Sequence, residues 1–169
     1  SVLEALRQPI EDGVVTVSRA AATIQYPARF MLVAAMNPCP CGFLTDNTRP
    51  CTCTGYERVR YRKKVSGPLL DRIDLVVDVP KIGFEKLTSE VESESSGVIR
   101  NRVVSARQTQ RERGAINRQL SIAQVKKVCA LDAQGLAFMK AAMEQLHLSP
   151  RAFTRVLKVA RTIADLAHE

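Results

Sequence analysis

Residues 30–38 read FMLVAAMNP, an apolar run that ends abruptly at an Asn-Pro step containing Asn37. Continuous apolar runs of this length are typical of strands buried on both faces of a parallel sheet. A second apolar run, residues 75–79, follows the segment GPLLDRID at 67–74. The two runs predict parallel strands of an α/β domain, with Asn37 and Arg72 as the polar residues beside them.

The composition indicates a basic globular chain with an aliphatic core. The 169 residues are 46% hydrophobic and include no Trp, which suffices for one ordinary domain or two small ones. A formal net charge of +8 favours polyanionic partners such as nucleic acid or phosphates, and a basic solvated surface is the alternative. With no long apolar stretch and no leader pattern, we expect a cytoplasmic protein that spans no membrane.

The chain reads as two domains joined by a linker. Residues 14–26 predict a β-hairpin with Arg19 at or near its tip. We expect a partial α/β core at 1–87, a flexible acidic linker at 88–97 and a small α-helical bundle at 98–169.

Caps and periodicity predict the helix boundaries and the buried faces. Pro9 predicts the end of a first helix, and Asp132 and Ser149 are expected to cap later helices. Cys129 is expected in the core. The side chains predicted to face the core of the bundle recur at helical spacing: Ile99, Val103, Ala106, Phe153, Val156, Leu157, Ala160, Ile163 and Ala164.

Three polar residues are candidates for reading nucleotide phosphates. Asn37 at a strand end could orient a water against a terminal phosphate, or could simply belong to a turn. Arg72 suits phosphate oxygens, or could pair locally with Asp71 or Asp74. Arg151 opens the last helix, where an anion is favoured, but a solvated basic face is the alternative.

Four of the five cysteines form two Cys-x-Cys pairs within fifteen residues: Cys39, Cys41, Cys51 and Cys53. Four thiolates on one loop can make a closed tetrahedral zinc site, which would be structural and not catalytic. Free thiols in a reducing cell and a disulfide are the alternatives.

A basic run at residues 58–64 accompanies the predicted hairpin. Together with Arg19, this run could contact a nucleic-acid backbone. Tyr56 and Tyr61 beside it could stack on bases, or could simply pack against the protein.

These motifs together resemble the magnesium-chelatase-like AAA+ ATPases, in particular their competence-associated bacterial type. The resemblance covers nearly the whole chain. It rests on SVLEALRQPIEDGVVTVSRA (1–20), FMLVAAMNPCPCG (30–42), GPLLDRIDLVVDVP (67–80) and LSPRAFTRVLKVARTIADL (148–166).

The resemblance implies a fold and roles for particular residues. It implies a partial AAA+ core followed by a helical lid, with Asn37 as sensor 1 and Arg151 as sensor 2. Arg72 would be the arginine finger that acts on a neighbouring subunit. The hairpin would line the pore of a ring, with Arg19 facing DNA.

The resemblance also implies an activity for the whole protein. It implies ATP with Mg²⁺ as cofactor, a homo-oligomeric ring such as a hexamer, and a DNA helicase, branch-migration or remodelling factor in competence or recombination. The alternative is a chelatase-type ATPase that remodels a protein partner for metal insertion.

No Gly-x-x-x-x-Gly-Lys-Ser/Thr phosphate loop occurs in these 169 residues. The resemblance places the Walker A and Walker B residues upstream of Ser1. We therefore expect these residues alone not to hydrolyse ATP.

Overall fold

The computed structural model describes residues 2–20, 22–88 and 93–169 of the chain. The chain divides into two units, Ser1–Thr88 and Ser89–Glu169. Within the described ranges, no helix combines the length and the apolar character needed to cross a bilayer.

The predicted β-hairpin is confirmed and forms the sheet of the first unit. Strand β1 (Val14–Arg19) pairs antiparallel with β2 (Ala22–Pro27), in a register that ends with Arg19 opposite Ala22. Arg19 is therefore the last paired residue of β1 before the turn. Position 21 lies outside the described residues. The helical elements of this unit are a 3-10 turn at Val2–Leu6, α1 at Arg7–Asp12, α2 at Gly55–Arg62, α3 at Gly67–Leu70 and α4 at Phe84–Thr88.

The prediction that Pro9 ends the first helix is wrong. Pro9 is the third residue of α1, where its missing N–H would have no acceptor inside the helix anyway. The helix ends instead at Gly13, whose φ of 68° is left-handed and whose N–H donates to the Pro9 carbonyl at 3.0 Å. Gly13 leads directly into β1.

The parallel strands predicted at 30–36 and 75–79 are not formed. Both runs lack regular secondary structure, and most of their apolar side chains are exposed, with Val33 at 81% and Val76 at 82%. A strand gains its hydrogen bonds only from a neighbouring strand, and β1–β2 is the one sheet among the described residues. These residues therefore contain no parallel AAA+ sheet.

The second unit is a helical bundle, as predicted. Asp132 accepts from the Gly135 N–H at 2.7 Å and Ser149 accepts from the Ala152 N–H at 3.2 Å, so both expected caps are confirmed. Its elements are α5 at Ser96–Glu112, a 3-10 turn at Asn117–Gln119, α6 at Ile122–Val128, α7 at Ala133–Gln145 and α8 at Pro150–Ala167. Of the predicted linker, residues 89–92 lie outside the described residues, while Thr88 ends α4 and Ser96 begins α5.

The buried faces of the bundle differ in part from the prediction. Leu157 and Cys129 are in the core as expected, but Ile99, Val103 and Ile163 are 41–62% exposed. The core consists of Leu120, Val125, Cys129, Met139 and Leu157. Apolar residues repeated at helical spacing indicate which face of a helix is buried. The repeat cannot reveal that a polar group occupies the contact between two helices.

That polar group is Asp165, which is 1% exposed. Asn117 Nδ2 and Gln110 Nε2 donate to its Oδ2 at 2.8 and 3.1 Å, and Arg161 Nε donates to Oδ1 at 3.0 Å. Arg113 Nη2 pairs with Oδ2 at 2.5 Å. Burial alone would raise the pKa of Asp165, but these hydrogen bonds outweigh burial and hold the pKa below its ordinary value.

We predict that Asp165→Asn lowers the free energy of unfolding by about 3 kcal/mol at neutral pH, because it leaves two partly buried arginines without their counter-ion. A carboxylate with a depressed pKa stabilises the fold above its ordinary pKa of about 3.9, and this contribution is lost as the pH falls through the folded-state pKa. The difference from the parent should therefore shrink towards acid.

Urea unfolding followed by circular dichroism across pH measures this difference. Asp132→Asn is the matched control, because Asn caps a helix as well as Asp does. A penalty for Asp165→Asn that stays constant down to strongly acidic pH would contradict the electrostatic explanation.

Candidate functional site

The Cys loop, residues 39–53, brings four cysteine sulfurs together. Their Sγ atoms all lie within 4.8 Å of one another. Three of the separations are 3.3 Å (Cys39–Cys41), 3.7 Å (Cys39–Cys51) and 3.6 Å (Cys41–Cys51). Tetrahedral zinc with Zn–S bonds of about 2.3 Å places its sulfurs about 3.8 Å apart. The loop geometry therefore fits a four-sulfur metal site.

The disulfide alternative does not fit the loop. All five cysteines are free, and the shortest of these sulfur separations is 3.3 Å, far beyond a disulfide bond of about 2.05 Å. Gly42 adopts a φ of 83°, and its N–H donates to the Cys39 carbonyl at 3.0 Å. This left-handed turn lets the first Cys-x-Cys pair point both sulfurs to one centre.

The thiols of the Cys loop have unlike electrostatic environments. A backbone hydrogen bond from Phe43 is the main cause that lowers the pKa of Cys41 to about 5. Burial raises the pKa of Cys53 to about 12. A metal ligand must be a thiolate, and the lowered pKa of Cys41 favours that form.

An ion pair joins the Cys loop to Lys81, two residues after the second apolar run. Asp46 accepts from Thr48 through both its N–H (2.7 Å) and its hydroxyl (2.6 Å), which lowers the pKa of Asp46 to about 2. Lys81 Nζ lies 3.4 Å from the Asp46 carboxylate and 2.9 Å from the Thr48 hydroxyl. The sequence analysis missed this contact because the partners are 35 positions apart.

Arg72 lies just after α3 and is held by two contacts within its own chain. Ser66 caps α3, and Arg72 Nη1 donates to the Pro68 carbonyl at 2.6 Å. The Nη2 group forms an ion pair with Glu11, and the Arg72 side chain is only 13% exposed. The sequence analysis offered Asp71 or Asp74 as local ion-pair partners of Arg72. In the structure the acidic partner is Glu11, which belongs to α1. No sequence pattern points to Glu11.

Asn37 and Arg151 lie in different units. Asn37 is exposed at the end of the first apolar run, two residues before the buried Cys39. Arg151 is exposed in the first turn of α8, directly after Pro150. Their roles as sensors, like that of Arg72 as a finger, stay predictions.

The amino-acid sequence matches known protein families and relatives over nearly its whole length. The chain matches the profile described as magnesium chelatase, subunit ChlI, over residues 1–87 and the profile of the ChlI C-terminal region over 93–169. It is 44% identical over 173 residues to competence protein ComM of Haemophilus influenzae, covering 99% of this chain and 33% of that protein. It is 42% identical over 166 residues to the uncharacterized protein YifB of Escherichia coli, covering 97% and 32%.

The chain thus spans about a third of the length of these relatives. Two consecutive family profiles account for nearly all of its residues, in the order expected for a core region followed by a helical region. The chain belongs to the magnesium-chelatase-like family of AAA+ ATPases.

Proposed function

We propose that this chain is the C-terminal part of an ATP-driven ring motor that acts on DNA in competence or recombination. Each subunit of the ring, expected to be a hexamer, would bind ATP with Mg²⁺, with the Walker A and Walker B residues supplied from outside this chain. Asn37 and Arg151 would contact the nucleotide of their own subunit, and Arg72 that of the neighbour. The hairpin would move DNA through the pore, as in a helicase or branch-migration enzyme.

The observation that supports DNA as the substrate is the basic hairpin tip. Arg19 is exposed, and it is the last paired residue of β1. In a chain of net charge +8, an exposed cation at the end of a two-stranded ribbon is well placed to contact phosphates.

The contact between Arg72 and Glu11 supports a coupling of nucleotide state to the hairpin. Glu11 belongs to α1, which runs through Gly13 straight into β1. A nucleotide phosphate presented by a neighbouring subunit would compete with Glu11 for the guanidinium group. Release of Glu11 would then free α1 to move together with the hairpin.

We predict that Arg72→Ala in the full-length protein lowers ATP turnover by about 10³-fold or more, because a trans-acting arginine stabilises the transition state of phosphoryl transfer. Nucleotide affinity should change little. Steady-state ATPase assays and nucleotide titration measure the two effects, and Arg7→Ala is the matched control in the same unit.

Mixed rings test whether Arg72 acts in trans. Subunits that carry Arg72→Ala and subunits that carry Asn37→Ala are each expected to be inactive alone, but mixing them creates some interfaces with an intact finger and an intact sensor. Partial recovery of turnover is therefore expected. Mixed rings as inactive as their components would contradict the trans assignment.

We predict that Arg19→Ala weakens DNA binding and makes the slope of log affinity against log salt shallower by about 0.7–0.9, the value for one lost phosphate contact. Fluorescence anisotropy over a salt series measures both. Unchanged DNA binding would favour the alternative, a chelatase-type motor acting on a protein partner, which the chelatase family description supports.

We also propose that Cys39, Cys41, Cys51 and Cys53 bind one structural Zn²⁺. Protein purified under reducing, chelator-free conditions should carry about one zinc per chain, and Cys39→Ser or Cys51→Ser should lose it. Cys129→Ala is the control, because Cys129 lies in the core of the other unit. Metal analysis that finds no zinc in the reduced parent protein would contradict the site.

A further inference from the structure

Helix α2 is built directly onto the Cys loop. Cys53 is buried, and the next residue, Thr54, is the N-cap of α2. The Thr54 hydroxyl accepts from the Glu57 N–H at 3.2 Å, while the Glu57 carboxylate accepts from the Thr54 N–H at 2.8 Å. This capping box fixes the start of α2 against the fourth cysteine of the candidate metal site.

The rest of α2 and the turn after it are strongly basic. Glu57 is the one acid between residues 55 and 64, and its carboxylate is engaged in the cap. The basic side chains that follow within seven residues are Arg58, Arg60, Arg62, Lys63 and Lys64. None of them forms an ion pair with a carboxylate in the described part of the chain.

A groove of about 290 Å³ lies between the Cys loop and α2. Leu44 of the loop forms one wall, and Gly55, Arg58, Val59 and Arg62 of the helix form the other. Arg58 and Arg62 are one helical turn apart, so both side chains line the same groove. The Nε atom of Arg58 is buried and has no hydrogen-bond acceptor among the described residues.

An exposed aromatic ring accompanies the cations. Tyr56, at the start of α2, is 74% exposed and lies beside the groove, not among its lining residues. Clustered arginines beside an exposed aromatic ring are typical of surfaces that bind single-stranded nucleic acid, where cations contact phosphates and rings stack on bases. Carboxylates of a protein ligand would satisfy the arginines but would give the ring no base to stack on.

We infer that the groove between the Cys loop and α2 binds the phosphodiester backbone of single-stranded nucleic acid. Arg58 and Arg62 donate to phosphate oxygens, and Tyr56 stacks on a base. This inference rests on the proposed action on DNA, and it adds a second contact separate from the hairpin. The candidate metal site then anchors the surface that holds the strand.

The test compares two double variants of the zinc-loaded chain with a fluorescent oligothymidine as probe. Arg58→Gln/Arg62→Gln should lower the affinity at least tenfold and make the salt slope shallower by about 1.4, since two single-strand phosphate contacts are lost. The matched control, Arg100→Gln/Arg107→Gln on α5, removes the same charge from exposed positions and should change the slope little. Tyr56→Ala should weaken binding about tenfold with no change in slope.

Four outcomes would overturn the inference. Equal losses for the α2 and α5 double variants would mean that net charge alone is responsible. Equal competition by polyglutamate would indicate an acidic protein ligand. If Arg19→Ala weakens DNA binding but Arg58→Gln/Arg62→Gln leaves the affinity unchanged, only this groove is refuted. A parent chain that binds no oligonucleotide would refute the proposed DNA function as well. Zinc content and thermal unfolding of each variant confirm that it is folded.

Discussion

The convergence of four cysteine sulfurs is the contact on which the first unit depends. Cys39 and Cys53 are among its few buried residues, while the neighbouring apolar runs are exposed. The loop fixes Asn37 from one side, because only Pro38 separates Asn37 from Cys39. At its other end the loop holds the start of α2, because Thr54, next to Cys53, is the N-cap of that helix. A small region with little apolar core commonly uses metal ligation for such a purpose.

The second unit relies on a buried charge as well as on an apolar core. Asp165 sits where α8 meets the end of α5 and the following turn, and every described partner donates a hydrogen bond or a positive charge to it. Such a network contributes less net stability than its contacts suggest, because the charges lose their hydration. Its geometric demands do specify how α8 lies against α5.

Arg72 has contacts within its own chain that bear on its proposed role as an arginine finger. Its two terminal nitrogens contact Glu11 and the Pro68 carbonyl, so the charge is not left uncompensated when no nucleotide is near. The proposed finger role requires that this pairing be exchangeable. A partly exposed ion pair is weak enough to be exchanged for a phosphate, which carries more charge and accepts more hydrogen bonds.

The amino-acid sequence by itself determined the features that depend on neighbouring residues. These are the hairpin with Arg19 beside its turn, the caps at Asp132 and Ser149, the four-cysteine loop and the resemblance to its family. Local hydrogen bonds and short loops set these features, so short patterns reveal them.

Only the tertiary structure decided the contacts between distant positions. The pairing of Arg72 with Glu11 and the burial of Asp165 join residues tens of positions apart, and no periodicity encodes them. The apolar run at residues 30–36 matches a buried strand in composition, yet a strand exists only where another strand can share its hydrogen bonds, and the described residues supply none beside it.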